Sequence, residues 1–232
     1  MQAGMSVMGQ PPLDLWLSTL DQRMGLGMMV EVYDDYFGWG EFVYAKLATS
    51  TLAAGTVVTL DDSFAMTAAA STAGLGRPVG VLKTKMDASA GVAYGFVQIA
   101  GLAPATFSVA ATTGAVYLGT AGNFTPTAAN GKQVLNAYTI AAATKNFTRT
   151  ITTRAGSPEI SVSGLSGLFP GMALSGTGIP GGTTVLNLDA TRRTQFNASA
   201  NATASGTVTG TFTYTGFGLV QLNRPFSQGQ AV

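Results

Sequence analysis

The chain has 232 residues, a net charge of +1 and neither cysteine nor histidine. That excludes disulfides, thiol nucleophiles, Cys/His metal sites and every histidine-based triad or acid–base pair. Charged residues make up 10% of the chain against the roughly 25% of an ordinary soluble domain, so much of the exterior is expected to be covered by partners.

Residues 1–12 are broken by Gly4, Gly9, Pro11 and Pro12. From Leu13 to Met24 the spacing predicts a short amphipathic helix. Leu13, Trp16, Leu17, Leu20 and Met24 form one stripe, with Asp14, Ser18, Asp21 and Gln22 on the other side. Pro12 suits its first turn, and Gly25 and Gly27 suit its stop. The stripe packs either on its own domain or, as an arm, on a neighbour. Residues 28–44 are dense in aromatics: Tyr33, Tyr36, Phe37, Trp39, Phe42 and Tyr44. These read as core or subunit interface. Asp34 and Asp35 read as a turn or strand edge, because neighbouring carboxylates on a strand point to opposite faces and cannot converge on one substrate.

From Glu41 the period becomes two. Strands are predicted at EFVYAKLA (41–48) and TVVTL (56–60), followed by a loop of small residues over 64–76. Arg77–Gly101 reads as a β-hairpin with a polar turn at Asp87–Gly91. On its outgoing arm Val92, Tyr94 and Phe96 alternate with Ala93, Gly95, Val97 and Ile99, so neither face is polar. Such a strand must be covered twice, once by its own core and once by a second layer or a neighbouring subunit. ATFSVA (105–110), AVYLG (115–119) and QVLNAYTIAA (133–142) complete the series. Strands at this spacing, parted by Gly, Asp and Thr turns, predict a β-barrel or sandwich.

Residues 149–215 turn rich in Thr, Ser, Gly and Asn, and GFGLVQLN (216–223) regains the earlier style. The reading is all-β. It has an N-terminal arm (1–40) containing the short helix, a main barrel or sandwich (41–148 plus 216–232), and an inserted small β domain (149–215). The rival is two sequential domains with 216–232 as a tail.

GTGIPGG (176–182) lacks the Lys-Ser/Thr of a phosphate loop and reads as a tight turn. No catalytic constellation, metal cage or cofactor site emerges, so the chain is not expected to be an enzyme. Ten bases without a basic run over 63–232 do not suit nucleic acid. No apolar run approaches the ~20 residues of a membrane span, and the first residues lack the pattern of a secretory signal. Residues 1–62 carry eight acids and two bases, residues 63–232 three acids and ten bases. This is either scatter or an acidic segment that meets a more basic surface, its own or a partner's.

GEFVYAKLATSTLAAGTVVTLDDS (40–63) and GRPVGVLKTKMDASAGVAYGFVQIAGLAPATFSVAATTGAVYLGTAGNF (76–124) resemble the bacteriophage capsid decoration, or cement, proteins. The resemblance covers roughly 40–142 and the strand near 219. Residues 160–212 are separately similar to small β modules of phage virion proteins and some bacterial surface proteins. The resemblance implies a β-rich protein on the outer surface of a phage head, bound to the major capsid protein as a homo-oligomer, a trimer or a dimer, and clamping capsomers. The candidate contacts to capsid or subunit are Leu13, Trp16, Leu17, Leu20, Met24, Tyr33, Tyr36, Phe37, Trp39, Tyr94 and Phe96. Removing residues 1–40 is expected to abolish binding and leave the β domain folded. The alternative function is a tail, head-fibre or surface adhesin module, with 149–215 binding a host glycan.

Overall fold

The computed structural model describes residues 18–34, 37–143, 146–165, 168, 171–188, 194–213 and 216–229. It is all-β, with no helix among these residues, and its sheets curl into a half-barrel and a nearly closed barrel. Two compact units divide the chain: residues 1–143 with 216–232, and residues 144–215. The second unit thus starts at 144 rather than 149.

The first unit opens with β1 (Met29–Asp34) and β2 (Gly38–Leu47), which pair antiparallel with Tyr33 opposite Trp39. Residues 29–34 and 38–40 are therefore part of the sheet, not of an arm ending at 40. Next come β3 (Thr51–Leu52), β4 (Val57–Leu60), β5 (Met66–Ala68), β6 (Val79–Leu82), β7 (Met86–Asp87) and β8 (Ala93–Thr106). After them run β9 (Gly114–Leu118), β10 (Phe124–Thr125) and β11 (Gln133–Ala143). The second unit holds β12 (Asn146–Thr153), β13 (Glu159–Val162), β14 (Ala173–Ser175), β15 (Val185–Leu188), β16 (Gln195–Ala198) and β17 (Gly206–Thr213). β18 (Phe217–Ser227) belongs again to the first.

In the first unit the strand order is β10-β9-β11-β18-β8-β6-β4-β5, with β2 also on β8 and β1 outside β2. Ala100 and Gly101 pair with β2 and with β18 at once, so these two strands flank β8. β18 is no tail: it lies between β11 and β8 in the middle of the sheet. β8 bends where Ile99 is skipped in its pairing with β2. There the buried Gln98 donates through Nε2 to the carbonyls of Ala100 and Leu102, at 3.1 and 3.0 Å. Gly101 has φ +89°, and an added Cβ would meet the Trp39 carbonyl oxygen, so this close approach requires glycine.

The expected hairpin exists in its arms, with Leu82 opposite Val97, but its connection is longer than the predicted turn. β7 leaves the main sheet and pairs with β3, Met86 opposite Leu52. Met86, Leu52 and Ala88 are thereby buried in one cluster with Val43, Leu82 and Val97. Within the expected loop 64–76, burial of Met66 accompanies the short strand β5. Of the predicted strand 105–110 only Ala105 and Thr106 are strand, as the end of β8; Phe107 then turns inward against Phe124, with ring centroids 5.9 Å apart. That pair joins Val81, Ala103, Val116, Val134, Val220 and Leu222 in a second core cluster.

Of the predicted helix, residues 13–17 lie outside the described residues, and residues 18–24 are not helical. Thr19 forms an antiparallel bridge with Tyr94, each amide donating to the other's carbonyl, at 3.0 and 2.7 Å. The start of β8 offers backbone groups that this segment satisfies, and an edge pairing competes with a marginal short helix. The chain then lays Met24, Leu26, Val30 and Val32 against Phe42, Tyr44, Tyr94 and Phe96. β8 is buried on both faces, and its second cover is the chain's own residues 24–32.

The second unit is one sheet of order β14-β17-β12-β13-β16-β15. Ile151, Ile160, Leu174, Phe196 and Phe212 are buried in it. Phe212 packs edge-on against Phe196 (5.8 Å, 68°) and stacks on Phe147 (5.4 Å, 19°). The alternate residues of β12 and β17 are threonines in direct register: Thr148 with Thr211, Thr150 with Thr209, Thr152 with Thr207. Thr148, Thr150, Thr152, Thr207 and Thr209 are exposed, so one face is hydroxyl-lined and the other mainly apolar, with Arg149 and Thr153 the polar members of β12 there, as in an antiparallel sheet covered on one side.

Candidate interaction surface

The candidate contact residues are not brought together on one surface. Leu13, Trp16, Leu17 and Tyr36 lie outside the described residues. Phe96 is fully buried, Tyr94 and Met24 are half-buried against it, and Phe37 is 7% exposed with the Lys83 Nζ 4.2 Å from its ring. Phe96, Tyr94 and Met24 are internal because the N-terminal segment folds onto β8, which alternation along the chain does not reveal. Leu20, Tyr33 and Trp39 face solvent.

Among the described residues Trp39 is the most exposed of the large apolar side chains, at 60%. Its ring meets the cross-strand Tyr33 ring edge-on at 5.4 Å. Met29, also exposed, lies on the same side of β1, two pleats from Tyr33. Between them Glu31 stands opposite Glu41. The Glu41 carboxylate accepts two hydrogen bonds from Arg224 of β18, from Nε at 2.8 Å and from a second guanidinium nitrogen at 3.2 Å. Hydrogen bonding to Glu41, then its charge, holds the Arg224 guanidinium above its ordinary pKa. This end of the sheet is thus aromatic, open and acidic. Among the described residues β1 pairs with β2 alone, so its outer edge has unpaired backbone groups.

A second exposed apolar surface escaped the sequence reading. On β11, Leu135, Tyr138 and Ile140 are 44%, 53% and 43% exposed, and Phe226 of β18, opposite Leu135, is 41% exposed. The signal available was Asn136, a poor strand former set between apolar runs. It sits at φ +59°, where the pairing of β11 with β18 loses register, and Arg224 of β18 is at φ +48° in the same irregular stretch.

Two aspartates organise turns. Asp61 accepts from the Ala65 amide (2.9 Å) and from the amide and hydroxyl of Ser63 (both 2.8 Å), which lowers its pKa. Asp87 is lowered further, by Ser89 first and then by Thr51 and Lys85. Both are structural anchors. Among the described residues no three of His, Cys, Asp or Glu gather into a metal-holding group, and no helix is long and apolar enough to cross a membrane.

The fold and these surfaces define an all-β chain of two units with two open apolar surfaces on the first. Compared with protein-family models, curated proteins and solved structures, the chain finds no match.

Proposed function

We propose that the chain is a structural virion protein that decorates a bacteriophage capsid, binding the major capsid protein from the outside as a homo-oligomer and bridging capsomers. The observation that carries the reading is the open aromatic end of β1–β2, where Trp39, Tyr33 and Met29 face solvent beside Glu31. Large aromatics on a rigid sheet, unhidden by their own domain, suit a binding hot spot. The resemblance over roughly 40–142 and the low charge of the chain point the same way. Each contact is modest, and an oligomer engaging several capsomers multiplies it.

The test is co-sedimentation of the chain with undecorated phage heads. Trp39→Ala is expected to weaken binding at least about thirty-fold, the size of a hot-spot loss, without loss of fold. Heads that sediment without the chain, or a variant that binds as the parent does, would overturn the reading. Removing residues 1–40 is not a clean test, because it strips β1, the whole aromatic end with Met29, Tyr33 and Trp39, and the cover of Phe96 together.

A second reading, an adhesin module that binds a host glycan, is favoured by one observation. The hydroxyl-lined face of β12 and β17 offers rows of donors and acceptors without charge. Selective binding of the full chain on a glycan array, lost in Thr150→Val, supports it; uniform silence overturns it.

A further inference from the structure

The outward face of β11 and β18 is turned outward by the backbone itself. Val134 is buried in the core cluster. Strict alternation from Val134 would bury Tyr138 and Ile140 and expose Thr139. The irregularity at Asn136 shifts the phase by one residue. In consequence Thr139 is fully buried, while Tyr138 and Ile140 face solvent. The Thr139 hydroxyl finds no hydrogen-bond partner among the described residues. Backbone strain and a stranded hydroxyl are the cost of presenting Tyr138 and Ile140 outside. Such costs persist where the surrounding structure fixes them and cluster where the molecule binds something.

We infer that this face is where two copies of the chain meet, sheet against sheet across a two-fold axis. The inference deepens the decoration reading, on which its premise of self-association rests. Charge decides the occupant. β11 carries no charged residue, and the one charge of β18, Arg224, is neutralised by Glu41 within the same chain. A two-fold contact sets a surface against itself, so any unpaired charge near the axis meets its own copy. An uncharged apolar face is self-complementary; the Glu31 side of β1–β2 is not. The open part of this face, β11 and β18 with the short β9 beside them, spans about 14 Å across and about 36 Å along β11, at most on the order of 500 Å², a small contact beside the ~800 Å² that each partner of a standard pair buries.

The experiment is solution mass by sedimentation equilibrium on the whole chain at micromolar concentrations. The parent is expected at twice its 23.6 kDa, Tyr138→Glu at the single-chain mass with an unchanged circular dichroism spectrum, and Trp39→Glu still at twice. A parent at the single or triple mass, or Tyr138→Glu at the double mass, overturns the inference. If Tyr138→Glu does not fold, the chain's lack of cysteine gives a second measurement. Gln221, exposed and opposite Tyr138, replaced as Gln221→Cys, is expected to give double-mass covalent pairs with a short bis-maleimide. Recovery of uncrosslinked single chains overturns the inference. Mass is read without capsids, so the two readings fail separately: a pair that ignores heads sinks decoration, and a single chain that coats them sinks the two-fold contact.

Discussion

Replacing Phe96 by alanine tests whether the twice-buried strand is covered from within. Phe96 is wholly buried, and its ring meets Tyr44 edge-on at 5.2 Å. A buried phenylalanine removes on the order of 200 Å² from water, which at about 25 cal/mol/Å² is ~5 kcal/mol. Alanine keeps about a third of that, and the lost ring pair adds ~1 kcal/mol. The expected loss is about 4 kcal/mol, inside the ~3–5 kcal/mol range of Phe→Ala changes in cores. In a unit of this size it lowers the midpoint by roughly 10 °C. The assay is urea and thermal unfolding at two protein concentrations, the lower one below self-association. Because the cover is the chain's own Met24, Leu26, Val30 and Val32, the loss should be the same at both. A loss under about 1 kcal/mol in the dilute sample, with weakened association in the concentrated one, would mean that a neighbour provides the cover, and would refute the reasoning.

Thr139→Val keeps the shape of a buried side chain and removes a hydroxyl that lacks a partner, so it should leave stability unchanged or raise it by about 1 kcal/mol in urea unfolding; a clear loss would mean that the hydroxyl is bonded after all. The Asp87 carboxylate has its pKa lowered by folding, so its contribution is present above the unfolded value of about 3.9 and is lost as pH falls toward the folded value. Asp87→Asn should therefore be less stable than the parent at pH 7, with the gap closing below about pH 4; denaturant titrations from pH 7 to 3 check this, and a gap that widens in acid would contradict it.

Much of the first unit was legible because its strands obey simple rules. Val57–Leu60, Val79–Leu82 and Gln133–Ala143 were bounded by Gly, Asp and Thr turns, and Leu219–Leu222 regained the style of the sheet it enters. β12 was missed because NFTRTITT carries one isoleucine and opens at the shift of composition. The stripe Leu13–Met24 fits helical spacing, yet from Thr19 onward the sheet's demand for backbone partners and cover prevails. Of the candidate contacts, Tyr33 and Trp39 are exposed, while Phe96 and Tyr94 pack within the chain itself. Alternation says that a strand has two apolar faces; it does not say whether the second layer is the same chain. Tyr138 and Ile140 were invisible because a residue at positive φ reverses the alternation without changing the composition.

That reversal changes where the case for partners rests. Low charge and a strand apolar on both sides first suggested neighbours around β8, and residues 24–32 discharge that need internally. What remains unexplained by the chain's own packing is the side chains it turns away from the core. Had stability alone shaped β11, Ile140 would lie inside and Thr139 outside, because burying the isoleucine is worth about 1.5–3 kcal/mol and stranding the hydroxyl costs about 1–3 kcal/mol. The observed register forgoes both, and in a protein of ordinary marginal stability that is a large share of the total. Such an arrangement is sustainable where association returns the forgone burial. The acidic aromatic end of β1–β2 and the uncharged face of β11–β18 then divide the work by charge, the first suited to a different partner and the second to a copy of itself.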